Sequence, residues 1–154
     1  MDHVAILRKA KITKGDNLLG DILAGTKTIE SRWYVNKISP WNKIKINDFV
    51  YFKESGSPVT AVARVSKVIQ YENLDKDTVN RIIKDYGKQI APNASESELQ
   101  SWAAKEINKR YCILIFLTGV KNVPAFGITK KGYGISSAWL CVGNIEKVRL
   151  ASHD

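Results

Sequence analysis

The chain has 154 residues, 44% hydrophobic and 25% charged, with 24 Lys and Arg against 15 Asp and Glu and a formal net charge of +9. These values exclude a disordered chain and suit one globular domain, large enough to bury ~70% of its unfolded surface. The longest apolar run, residues 113–117, falls far short of the about 20 residues a membrane-spanning helix needs, so no membrane anchor is expected.

The elements follow in chain order. Residues 3–9 alternate loosely and read as a first strand. Residues 14–25 predict a short helix, capped by Asp16, with an apolar stripe of Leu18, Leu19, Ile22 and Leu23, and closed by Gly25. A strand is expected over 27–33, then a loop over 34–48 that carries Tyr34, Trp41, Lys37, Lys43 and Lys45. Residues 48–55 and 59–71, separated by Gly-Ser-Pro, read as a hairpin. Two helices are expected over 75–90 and 95–107, the second opened by a capping box of Ser95 and Glu98. Residues 110–123 form the most apolar strand, and a glycine-rich loop over 127–137 leads into a last strand over 138–150.

Strands outnumber helices, and the connections suit antiparallel pairing better than βαβ crossovers. The expected fold is α+β: one domain built on a small, closed or nearly closed, mostly antiparallel β-barrel. About three helices flank it, two of them in a helical insert near 75–107.

Few residues suit metal or triad chemistry. The cysteines, Cys112 and Cys141, lie in apolar runs outside any CxxC pair, and buried reduced thiols are expected. The histidines, His3 and His153, stand near the chain ends, so neither a zinc site nor a Ser-His-Asp arrangement is expected. The opening 16 residues lack the long apolar segment of a signal peptide, and a cytoplasmic location is expected. The pI of about 9.6 favours a polyanionic partner, with a lysine-rich surface kept for solubility as the alternative.

The stretch 25–33, Gly-Thr-Lys-Thr-Ile-Glu-Ser-Arg-Trp, places three charges of both signs within six residues. Side chains alternate faces in a strand, so Thr28, Glu30 and Arg32 share one face, and Ile29 and Trp33 share the other. With Ile29 and Trp33 in the core, Glu30 and Arg32 are expected side by side on the wet face, where the two can pair. Lys27 is expected in the bend after Gly25, at the mouth of the barrel. The alternative is a surface ion pair of little energetic consequence.

Residues 23–33, with Gly25, Lys27, Thr28, Ile29, Glu30 and Arg32 in their spacing, resemble the signature of the ASCH domain, a PUA-like β-barrel family. The stretch 44–74, where Asn47-Asp48 opens a strand and a hairpin follows, is similar to the same family. The resemblance implies a groove beside the motif that binds RNA or modified nucleosides. A short bacterial branch similar at residues 21–29 removes the acetyl group from N4-acetylcytidine, using a lysine, a threonine three residues later and a glutamate after the hairpin. Lys27 matches the lysine, and Glu30 stands where the threonine would be. Glu72, Asp85, Glu96 and Glu98 are the later carboxylates.

Chemistry at such a site would have Lys27 or Glu30 activate a water or attack an acyl carbonyl, with Thr28 or a backbone N–H holding the oxyanion and no cofactor. Binding of single-stranded RNA needs cations for phosphates and flat rings for bases. Two loops offer both. One contributes Trp41 and Lys43, the other Lys130, Lys131, Tyr133 and Ser137. Core packing and turn formation are the structural alternatives for these residues, and core packing is the preferred role for Trp139 and Trp102. The leading function is RNA binding, with hydrolysis of a modified nucleoside or RNA second and a protein-interaction module third.

Overall fold

The computed structural model describes residues 1–8 and 17–151. Asp16 and His153 lie outside the described residues. Six strands, β1 (Asp2–Leu7), β2 (Ile29–Tyr34), β3 (Phe49–Glu54), β4 (Val59–Glu72), β5 (Tyr111–Phe126) and β6 (Trp139–Gly143), form one sheet in the order β2-β5-β4-β3-β1-β6. The helices are α1 (Leu18–Ala24), α2 (Lys76–Ile90) and α3 (Glu96–Glu106). The expected α+β fold, with three helices among the described residues, is therefore present. The sheet curls into a half-barrel whose two edges, β2 and β6, are not hydrogen-bonded to each other.

The pairing is mostly antiparallel, as expected, with one departure. β1 runs parallel to β3, with His3 opposite Val50 and Leu7 opposite Glu54. The last strand is also shorter than the predicted 138–150. It stops at Gly143, and a 3₁₀ turn (Ile145–Lys147) takes over under an Asn144 cap.

The curl has a local cause. β4 and β5 are the long strands, and their register shifts at three places. One shift lies where Gly119 takes φ 59, a conformation cheap only for glycine, so that one extra residue of β5 bulges out and the strand bends. The first half of β5 pairs with both β2 and β4, and the second half pairs with the first residues of β4.

Three apolar clusters fill the spaces this creates. Inside the half-barrel lie Ala5, Leu7, Ile22, Trp41, Val50, Phe52, Val65, Ile113, Ile115 and Trp139. On the outer face of β2 and β5, α2 and α3 bury Ile29, Val79, Ile82, Ile83, Leu99, Trp102, Cys112 and Leu114. A third cluster covers Val4, Ile6, Leu140 and Val142 with Ile145 and Val148. α2 and α3 start where the sequence says they should, whereas α1 is capped by Asn17 and not by the expected Asp16, because it is the Asn17 side chain that accepts from Gly20 N–H. Asp75 caps α2 by accepting from Thr78 N–H, and Ser95 with Glu98 forms the expected capping box of α3. α1 ends at Gly25, whose φ of 79 lets its N–H reach back to Asp21 and Ile22 carbonyls.

Candidate functional site

Lys27 leaves the bend after Gly25 just before β2 begins, as the sequence predicts. Its side chain is 1% exposed. Nζ donates to the Ile29 carbonyl at 2.7 Å and to the Ile90 carbonyl at 2.6 Å. The second bond caps the C-terminus of α2, where orphan carbonyls and the negative end of the helix dipole favour a cation. The backbone reinforces the joint, since Thr28 N–H donates to the Gln89 carbonyl. Lys27 thus fastens α2 to the first residues of β2.

Glu30 and Arg32 share a face, but that face is not wet. Opposite them on β5 stand Ile115 and Ile113, both in the half-barrel interior. Glu30 is 6% exposed. Its Oε1 accepts from Ser31 N–H at 3.1 Å and lies 3.9 Å from Lys27 Nζ. Its Oε2 lies 3.9 Å from Arg32 Nη2 and has no hydrogen-bond partner among the described residues. Arg32 donates instead across the gap between the sheet edges, from Nη1 to the Ala138 carbonyl and from Nη2 to the Ile6 carbonyl, each at 3.3 Å. Its guanidinium lies 5.1 Å from the centre of the Trp139 ring.

These residues border a cavity of about 420 Å³ where the edge of β2 faces the end of β1. β2 supplies Glu30, Ser31, Arg32, Trp33 and Tyr34. Both faces of the strand contribute because an edge strand has no neighbour on its outer side. Ile6, Leu7, Arg8 and Ala138 form the opposite wall, and α3 closes the site with Trp102, Lys105 and Glu106, followed by Lys109. Trp33 and Trp102 meet edge to face with ring centres 5.7 Å apart, and Trp33 Nε1 donates to Ser31 Oγ at 3.0 Å. Burial pushes the Tyr34 phenol above its ordinary pKa of 10.0, against the opposing pull of Arg32.

The sequence-predicted residues divide cleanly. Lys27, Glu30 and Arg32 come together at the cavity. Thr28 sits beside it, its backbone joined to Gln89 and Leu117. Trp41, 9% exposed, packs inside the half-barrel against Tyr111, and Lys43 donates to Ser39 on the surface. Lys130 donates to the Ile135 carbonyl within its own loop, Tyr133 packs on the third cluster, and Ser137 donates to the Trp139 carbonyl. Lys131 is exposed in the same loop. None of these six lines the cavity. Of the later carboxylates, Glu72 pairs with Lys37, Glu98 serves the capping box, and the α3 residue at the cavity is Glu106. Arg8, Trp33, Trp102, Lys105 and Lys109 were not singled out from sequence as site residues: Trp33 read as core, Arg8 precedes Glu30 by 22 positions, and nothing local marks Trp102, Lys105 and Lys109, 70 or more positions away, as neighbours of Glu30 and Arg32.

A second polar network lies near the other edge. His3 is fully buried, and its Nε2 is 2.8 Å from Asp48 Oδ2, while Trp139 Nε1 donates to its Nδ1 at 3.1 Å. The ring therefore carries its proton on Nε2 and is neutral. Burial holds the His3 pKa below 6.5, against the raising effect of Asp48. Burial alone would raise Asp48. The bonds from His3, Lys45 N–H and the Met1 ammonium outweigh it and hold the carboxyl below 3.8.

No family model and no curated protein sequence matches the chain. Solved structures do. The crystal structure of ASCH from Zymomonas mobilis superposes with a TM-score of 0.60 at 13% identity, covering 90% of this chain and 85% of that one. A tyrosine-to-phenylalanine variant of that protein gives 0.60 at 13% identity over 90% and 87%, and a serine-to-alanine variant 0.60 at 14% over 90% and 85%. At such identities the likeness speaks for the fold, and the curled six-stranded sheet with its three helices is an ASCH-type fold.

Proposed function

We propose that the chain binds single-stranded RNA and takes one unstacked base into the cavity beside β2. The observation that carries the reading is the composition of that cavity. A buried carboxylate stands between two cations, the rings of Trp33, Tyr34 and Trp102 line the walls, and Arg8, Lys105 and Lys109 supply positive charge at its border. A volume of about 420 Å³ falls in the ordinary range for small-ligand pockets. Rings stack on bases, cations hold phosphates, and a carboxylate reads base N–H groups. The net charge of +9 and the ASCH-type fold support the same reading.

A second reading, hydrolysis of an acylated nucleoside, is favoured by the approach of Lys27 Nζ to Glu30 at 3.9 Å within the cavity. The bonds of Lys27 weigh against its acting as a nucleophile. Two of its hydrogens are held by backbone carbonyls at 2.6 and 2.7 Å. Glu30 is then the group left to activate a water.

Anisotropy titration of a short labelled RNA tests the first reading. Three phosphate contacts through Arg8, Lys105 and Lys109 give a log–log salt slope of about −2, a loss of roughly tenfold to twentyfold between 50 and 200 mM salt. The double substitution Lys105→Ser/Lys109→Ser leaves the buried core untouched and is expected to reduce that slope to about a third. No binding at 50 mM salt would remove the RNA reading and send attention to turnover of acylated nucleosides.

A further inference from the structure

We infer that the cavity selects guanine as the base it takes. This inference rests on the RNA-binding reading and specifies it. Glu30 is more than nine-tenths buried, lines the cavity, and keeps one carboxylate oxygen without a hydrogen bond. A buried acceptor left unmet is unfavourable, so the site is built to receive a donor. The neighbouring cations do not meet that need. Arg32 Nη2 stands 3.9 Å from that oxygen, Oε2, and Lys27 Nζ 3.9 Å from Oε1, both beyond hydrogen-bond distance, and both side chains donate to backbone carbonyls.

The edges of the four bases differ in how they meet a carboxylate. Guanine presents two adjacent donors, N1–H and the N2 amine, and then an acceptor, O6. The two donors match the two oxygens of Glu30, where Oε1 has one acceptor site taken by Ser31 N–H and Oε2 is open. O6 then falls toward a flanking cation. Uracil offers one N–H between two carbonyls, and those carbonyls would meet the carboxylate. Cytosine and adenine offer one amine beside a bare ring nitrogen, whose lone pair would face the second oxygen. Guanine alone sets no lone pair against Glu30. Trp33, Tyr34 and Trp102 accept any ring, so the edge at Glu30 is where discrimination arises.

The test uses labelled uridine oligomers that carry at their centre a uridine, a guanosine, an inosine or a 1-methylguanosine, titrated at low salt. The guanosine oligomer is expected to bind about tenfold or more tightly than the all-uridine one. Inosine, which lacks the N2 amine, is expected to lose part of that gain, and 1-methylguanosine, which lacks N1–H, all of it. Glu30→Gln replaces one acceptor by a donor and is expected to level the series while a melting curve shows the fold kept. If that variant fails to fold, the analogue series on the wild-type chain still decides. Equal affinity for all four oligomers overturns the guanine inference and leaves RNA binding standing. Failure of every oligomer to bind overturns both.

Discussion

At the residue scale, His3 and Asp48 are buried polar groups met by specific partners, and His3 shows what such an arrangement costs when pH changes. The imidazole is closed in by Asp48 on one nitrogen and Trp139 on the other, with Asp2 and the Met1 ammonium nearby. It has no acceptor left for a second proton. Its folded pKa lies below 6.5, so between that value and 6.5 the unfolded chain binds more protons than the folded one. The stability it contributes is complete above pH 6.5 and is lost as pH falls below it. Asp48 adds a second loss as pH falls below 3.8. Thermal melts at pH 7.5 and 5.5 are expected to show a lower Tm at the acid pH, and His3→Asn to reduce the difference. An unchanged Tm in the wild type would contradict a neutral buried imidazole. The sequence placed His3 near a chain end and gave no sign of this, because its partners lie 45 and 136 positions away. Lys27, Glu30 and Arg32 were legible as a group because all three fall within six residues. Their expected wet face was wrong for a physical reason: alternation tells which residues share a face, and not whether the second face meets water or the inside of a curled sheet.

At the scale of elements, local signals carried most of the assignment. Ser95 and Glu98 close the capping box of α3 at 3.2 and 2.9 Å, as their spacing predicts. Ser95→Ala is expected to lower stability by about 1 kcal/mol in denaturant titration. Because α3 brings Trp102, Lys105 and Glu106 to the cavity, the same change is expected to raise hydrogen exchange along the first turn of that helix. An unaltered unfolding midpoint would mean that tertiary packing, through Leu99 and Trp102, fixes the helix start by itself. The last strand shows the limit of such signals. The apolar pattern from Ile145 to Leu150 continues past Gly143, yet the chain turns there and Ile145 and Val148 pack back on the sheet from a 3₁₀ turn. A period-2 pattern and a tight turn can bury the same residues, and pairing decides between them.

At the scale of the whole molecule, the half-barrel has a seam. β2 and β6 are its edges, and Arg32 reaches across from one side to the Ile6 and Ala138 carbonyls on the other. Arg32→Met removes both bonds while keeping much of the side-chain volume. It is expected to raise hydrogen exchange at the β2 edge by about tenfold, the equivalent of about 1.4 kcal/mol. Exchange unchanged at β2 would show that the seam is held by packing around Trp139 instead.

The sequence by itself determined most of the elements, the capping box of α3, the α+β class and the motif in which Lys27, Glu30 and Arg32 stand. Periodicity, caps and turn residues act over a few positions, and a few positions are enough to express them. Only the tertiary structure decided that β1 runs parallel to β3, that the sheet stays open between β2 and β6, and that α3 carries Trp102 and Lys105 to the side of Glu30. Those outcomes depend on long-range pairing and on the bulges that bend β5, where the energy of a contact is shared between residues that no local pattern joins.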